Sequence, residues 1–239
     1  MYKIELICKK GNLNEIKKII HDNNIEDIFI YSCEYGHLGV AKYLININKN
    51  IDIHTSYEYV FRWSCINGHL DVAKWLYSLG NVDIHANVEH VFRWSCMEGR
   101  LEVAKWLCSL GDVDIHVEGE WAFKQSCING HLKVAKWLYS FGNVDIHVDD
   151  EYAFRRSCRN GHLKVAKWLY SLGNVDIHAY DEYAFRRSYE RGYLKVAKWL
   201  CKISDRYEYN DTIVLYKNKY KFNKNPYVIR CGEFSDIKV

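Results

Sequence analysis

A repeat of 31 residues limits this chain more than any other feature. Cys65, Cys96, Cys127 and Cys158 stand 31 residues apart, Tyr189 continues the series, and Cys33 precedes Cys65 by 32. Gly36, Gly68, Gly99, Gly130, Gly161 and Gly192 keep step with them, 32 residues apart at the first interval and 31 thereafter. Asp52, Asp83, Asp114, Asp145 and Asp176, each opening an Asp-Ile-His triplet, recur every 31 residues. A unit of this length cannot bury its own apolar faces, so successive units must stack to make a core.

The unit DEYAFRRSCRNGHLKVAKWLYSLGNVDIHAY, from Asp150, shows the local structure to expect. Phe154, Ser157 and Cys158 fall at i, i+3 and i+4, an inward stripe on a first helix. Asn160-Gly161 ends that helix, because glycine accepts the left-handed conformation there. Val165, Trp168, Leu169 and Leu172 then mark one face of a second helix, which stops at Gly173-Asn174. Val175-Asp176-Ile177 runs extended into the next unit. The predicted fold is all-α, a solenoid of helix pairs. Residues 1–24 form a divergent N-terminal capping repeat, and residues 25–203 form six repeats of about 31 residues. Residues 204–239 are a non-repeat C-terminal cap or tail.

Composition narrows the function classes. With 49% apolar and 26% charged residues the chain is a folded protein rather than a disordered one. Lys+Arg at 33 against Asp+Glu at 30 leaves +3, too little to imply a nucleic-acid partner. The nine cysteines are an odd number, with neither a leader-like start nor a membrane-length apolar run. Reduced thiols in an intracellular compartment are therefore expected.

The segment GHLKVAKWLYSLG resembles the GHLEVVKLLLEAG stretch of ankyrin repeats, and VDIHA resembles their ADVNA. The wording FRWSC and AKWLYSLGNVDIH is similar to the ankyrin-repeat proteins of amoeba-infecting giant DNA viruses. The resemblance implies a non-catalytic scaffold for protein–protein interaction. A host or viral protein would be the partner, the protein itself a monomer, and the host cytoplasm its setting, with the nucleus left open. Two departures stand out. Tyr152 to Arg155 replaces the family's Thr-Pro-Leu-His, and three residues are lost from the projecting β-hairpin finger. A reduced turn at Ala179 to Glu182 is expected in its place. The tail also lacks the leucine–proline start of the F-box-like segments that end some viral relatives.

A metal-binding reading of the Cys-x3-His pairs fails on geometry. Zinc needs four ligands at about 2.0–2.3 Å, and each unit offers two at its turn. The next pair lies one helix spacing away, about 8–10 Å. Arg100 replaces one histidine, and Tyr189 with Tyr193 replaces a whole pair. Cysteine here is a small buried hydrophobe, and the histidine a hydrogen-bonding group at the turn. Trp75, Trp106, Trp137, Trp168 and Trp199 are likewise core residues rather than a stacking ladder. The Asp-Ile-His triplets have no serine or cysteine nucleophile beside them, so no enzyme, no cofactor and no metal are expected.

Positions that vary between units carry the functional expectation. The residue after each cysteine includes Ile66, Met97, Ile128 and Arg159. The residue after the recurring glutamate includes Tyr59, His90, Trp121, Tyr152 and Tyr183. In ankyrin repeats these two sets resemble the positions lining the concave groove, which makes them partner-binding candidates. For the residues after cysteine, packing between adjacent units is an equal reading. Arg155, Arg156, Arg186, Arg187 and Arg191 on successive first helices form a basic strip. That strip suits a second hypothesis, a binder of acidic ligands or nucleic acid. In the tail, Ile213, Tyr216 and Tyr220 fit a helix whereas residues 219–222 fit a strand, and both readings stand.

Overall fold

The structure, a computed structural model, describes residues 2–21, 24–51, 55–80, 82–204, 206–210, 213–216 and 229–230. Helices appear in pairs at the repeat spacing. They are α1 (Tyr2–Lys10), α2 (Leu13–Lys17), α3 (Ile25–Glu34), α4 (Leu38–Ile47), α5 (Thr55–Asn67), α6 (Leu70–Ser78) and α7 (Ala86–Met97). Then come α8 (Leu101–Cys108), α9 (Val117–Ile128), α10 (Leu132–Tyr139), α11 (Val148–Arg159), α12 (Leu163–Ser171), α13 (Ala179–Glu190) and α14 (Leu194–Ile203). Two compact units result. One holds residues 1–126 and 133–144, the other residues 127–132 and 145–239.

In the first unit α1, α3, α5 and α7 pack side by side, with each second helix against its own first helix. In the second unit α11 packs on α13, and α12 and α14 cover them. The stripe read from the sequence is the core. Phe29, Phe61, Phe92, Phe123 and Phe154 are fully buried, and so are Cys33, Cys65, Cys96, Cys127 and Cys158. Each large side chain so buried contributes about 1.5–3 kcal/mol. The tryptophans are half-buried and meet the phenylalanine of the preceding repeat edge-on. Centroids lie 6.4 Å apart for Phe29–Trp75, 6.2 Å for Phe61–Trp106 and 6.3 Å for Phe154–Trp199. They are packing residues, as their spacing beside a leucine indicates.

First helices end as the glycines require. At Gly161 φ is +81°, Gly161 N donates to Cys158 O at 3.1 Å and His162 N to Ser157 O at 2.9 Å. This closes the helix in a Schellman-type turn. No β-hairpin finger occurs among the described residues. The link into α9 is a turn through Asp114, Ile115 and His116, then three left-handed residues, Glu118, Gly119 and Glu120, with φ of 53°, 59° and 63°. Asp149 to Glu151 and Tyr180 to Glu182 repeat it. The reduced turn expected at Ala179 to Glu182 therefore takes the form of a left-handed one.

The tail departs from an all-helical chain. Strands β1 (Tyr207–Asn210), β2 (Ile213–Tyr216) and β3 (Ile229–Arg230) form a small antiparallel sheet in the order β1-β2-β3, with β1 against α14. Ile213 to Tyr216 is thus strand, not helix. Residues 219–222 lie outside the described residues. No helix among the described residues is long and apolar enough to cross a membrane.

Candidate protein-binding surface

The surface rests on two devices that hold the repeats in register. The first is built on the Asp-Ile-His triplet. Asp145 Oδ1 accepts from His147 N at 2.8 Å, an Asx-type turn. The His147 ring then donates through Nδ1 to Glu151 Oε1 at 2.7 Å, and Glu151 is only 6% exposed. The same arrangement joins His85 to Glu89, His116 to Glu120 and His178 to Glu182, at 2.7–2.8 Å. The bond to Glu89 raises the pKa of His85. In the second unit the buried carboxylate also reaches forward. Glu151 Oε1 accepts from Asp176 N at 3.3 Å, and Glu182 Oε1 from Arg206 at 2.8 Å. These glutamates recur in the sequence four residues after each triplet histidine, a spacing that signals the pair. What spacing cannot supply is the left-handed backbone that brings them together.

The second device is the histidine of GHL. It does not close its own turn but crosses to the preceding repeat. His37 Nε2 donates to Lys9 O at 3.1 Å, while His69 bonds the Glu34 carbonyl and His162 that of Ile128. Arg100, at the substituted position, does the same through Nε to Ile66 O at 2.9 Å. Each ring lies on the turn glycine of the repeat before it, so that a Cβ at Gly130 would sit 2.5 Å from His162 Nδ1. Asn67 and Asn160 add amide bonds of 3.0 Å to Glu34 O and Ile128 O. Burial lowers the pKa of His69 and His162 and raises the thiols of Cys33, Cys65 and Cys158 far above their usual range. Among the described residues no three His, Cys, Asp or Glu side chains are grouped to hold a metal.

With the frame fixed, the first helices of the first unit present aromatic rings. Tyr59 and Trp63 tilt together at 5.9 Å, His90 stacks on Trp94 at 5.4 Å, and Trp94 lies 6.3 Å from Trp121. The Arg93 guanidinium lies over Trp121 at 5.2 Å. Trp63 is 36% exposed, and Tyr59, His90, Trp94, Met97 and Trp121 are half-buried. His90 Nδ1 is buried with no hydrogen-bond partner, and burial together with Arg62 and Arg93 lowers its pKa. Ile66 differs from this group: at 7% exposure it is packing, not contact surface. Trp63 and Trp94 stand outside the two sets of variable positions that the sequence marks as partner-binding candidates.

In the second unit the corresponding face is cationic. Arg156 lies over Tyr152 at 4.9 Å and over Tyr183 at 5.4 Å, and Arg187 lies over Tyr183 at 5.6 Å. Arg159 and Ile128 are half-buried, and Arg191 is exposed. Two residues of the expected surface turn inward. Tyr183 is 9% exposed, and Arg155 is 5% exposed, donating to the carbonyls of Asp149 and Asp150 and lying over the Tyr180 ring. Arg155 therefore braces the left-handed turn and does not belong to an exposed strip. Arg186 does likewise, donating through Nε to Asp181 O at 2.7 Å.

Comparison with known families accounts for this architecture. A family model described as ankyrin repeats (3 copies) matches three overlapping segments, residues 4–88, 63–150 and 92–181. Together they span roughly three-quarters of the chain. No curated protein matches the chain significantly. Stacked helix pairs, the GHL turn and the repeated match lead to one assignment: the chain belongs to the ankyrin-repeat family.

Proposed function

We propose that the protein is a non-catalytic scaffold that binds other proteins through the faces of its first helices. Family membership supports the general role, and the aromatic face of α5, α7 and α9 supports the location. Large rings that could have been buried stay half-exposed at Tyr59, Trp63, His90, Trp94 and Trp121. Aromatic enrichment marks interface cores. Rings already held against one another lose little freedom on binding, which favours affinity. The setting we propose is the cytoplasm of a host cell, with a host or viral protein as partner. This part of the reading rests on the wording of the repeats.

The test is affinity capture from a eukaryotic lysate with mass spectrometry, comparing the wild type with Trp63→Ala/His90→Ala/Trp94→Ala. Circular dichroism establishes that the variant is folded. Partners held by the wild type and lost by the variant support the reading. An identical partner set for both proteins refutes the location.

A further inference from the structure

Three guanidinium groups converge on one ring in the second unit. Arg155, Arg156 and Arg187 lie 5.1, 5.4 and 5.6 Å from the Tyr183 centroid. Like charges gathered this closely repel unless something neutralises them. Arg155 is satisfied internally by two backbone carbonyls. Arg187 has Glu190 at 2.8 Å, an exposed pair worth little. Arg156 has no carboxylate partner among the described residues, and its Nε is buried without a hydrogen bond. One turn along α11, Arg159 also has no carboxylate partner there. On the packed neighbour α13, Arg191 reaches only the Asn160 amide oxygen, at 3.4 Å.

We propose that Arg156, Arg159, Arg187 and Arg191 form a docking site for an acidic peptide segment of a partner protein. The inference rests on the protein-binding reading above and gives its partner a chemistry. Charge complementarity carries it: among the described residues the four arginines make one ion pair, Arg187 with Glu190. Arginine presents its N–H groups in a planar fork that matches carboxylates, and stacking on tyrosine holds that fork in place beforehand. The same stacking disfavours single-stranded nucleic acid. Such ligands need open aromatic faces for their bases, and guanidinium groups already lie over the Tyr152 and Tyr183 rings.

The experiment is fluorescence anisotropy on the full chain at low salt, with a labelled deca-glutamate peptide and a labelled oligouridine of the same length. The peptide is expected to bind and to weaken as salt rises. Arg156→Gln/Arg187→Gln is expected to weaken it at least tenfold, and Arg187→Gln alone, at an exposed position, at least threefold. Lys164→Gln/Lys195→Gln makes the same change in charge on exposed second-helix positions and is expected to stay within twofold. No binding by the wild type, equal losses in the two double variants, or tighter binding of the oligonucleotide would each overturn the proposal. Any of these results would leave partners captured through the aromatic face unaffected, so the two readings fail separately.

Discussion

Replacing a single turn glycine separates the strap between repeats from the turn itself. Gly130 and Gly192 occupy the same turn position, with φ of +81° and +77°. Alanine at either must adopt a left-handed conformation, costing about 1–2 kcal/mol. At Gly192 nothing described lies within 4 Å of the added Cβ, so that is the whole penalty. At Gly130 the Cβ would sit 2.5 Å from His162 Nδ1 and 2.8 Å from Cε1, so the ring must move off the glycine. Moving it breaks the bond to the Ile128 carbonyl, worth about 0.5–1.5 kcal/mol. Gly130→Ala is therefore expected to cost about 2–3 kcal/mol, and Gly192→Ala about 1–2. Urea titration followed by circular dichroism measures both, and the slope of each transition tests whether unfolding stays cooperative. A double-mutant cycle completes the test: in a His162→Ala background the cost of Gly130→Ala should fall to that of Gly192→Ala. Equal costs at the two glycines, or no coupling to His162, would refute the strap.

Further outcomes follow from the same geometry. Asp150→Gly is expected to stabilise the protein by about 0.5–1 kcal/mol, since Gly119 already occupies the equivalent left-handed position; thermal melting checks it. His69 and His162, whose pKa values burial lowers, favour the unfolded chain once protonated. Their contribution is present above the usual histidine value of about 6.5 and fades as pH falls below it. His85, raised by Glu89, acts oppositely, contributing fully below that value and losing its effect as pH rises through the folded pKa. Melting temperatures from pH 7.5 to 5 should therefore fall less in His162→Gln than in the wild type; an unchanged slope would exclude His162 as a source. Burial pushes the thiols of Cys33, Cys65 and Cys158 well up and that of Cys108 to about 11. Alkylation at pH 8 should spare Cys33, Cys65 and Cys158 until the chain unfolds, and labelling of the native protein at Cys65 would contradict the packing.

Much of the architecture was legible because the repeat samples one solution many times. Phe, Ser and Cys at i, i+3 and i+4 declared the buried face, and the glycines declared the turns. Tryptophan beside leucine declared packing rather than a stacking ladder. The contacts between repeats were less legible. The GHL histidine meets a carbonyl 28 to 35 residues earlier, a distance that local periodicity does not encode, so it looked like a group of its own turn. His147 and Glu151 are four apart, as on a helix, yet Asp149 to Glu151 are left-handed. Exposure was least legible. Arg155 and Arg156 are adjacent, identical and both near the Tyr183 ring, but helical geometry buries the first on the backbone carbonyls of Asp149 and Asp150 and leaves the second half-buried with no carbonyl bond of that kind among the described residues. Ile66 and Met97 occupy the same place in their repeats, yet one is buried and the other half-exposed.

Site-specific photo-crosslinking tests the central claim most directly. Benzoylphenylalanine at Trp63 or Trp94 keeps a large aromatic ring on the proposed face, and the same residue at Lys167 marks an exposed second-helix position. After irradiation in lysate, protein adducts are expected from positions 63 and 94 and not from 167. Adducts from position 167 alone would show that partners approach through the second helices, contradicting the account.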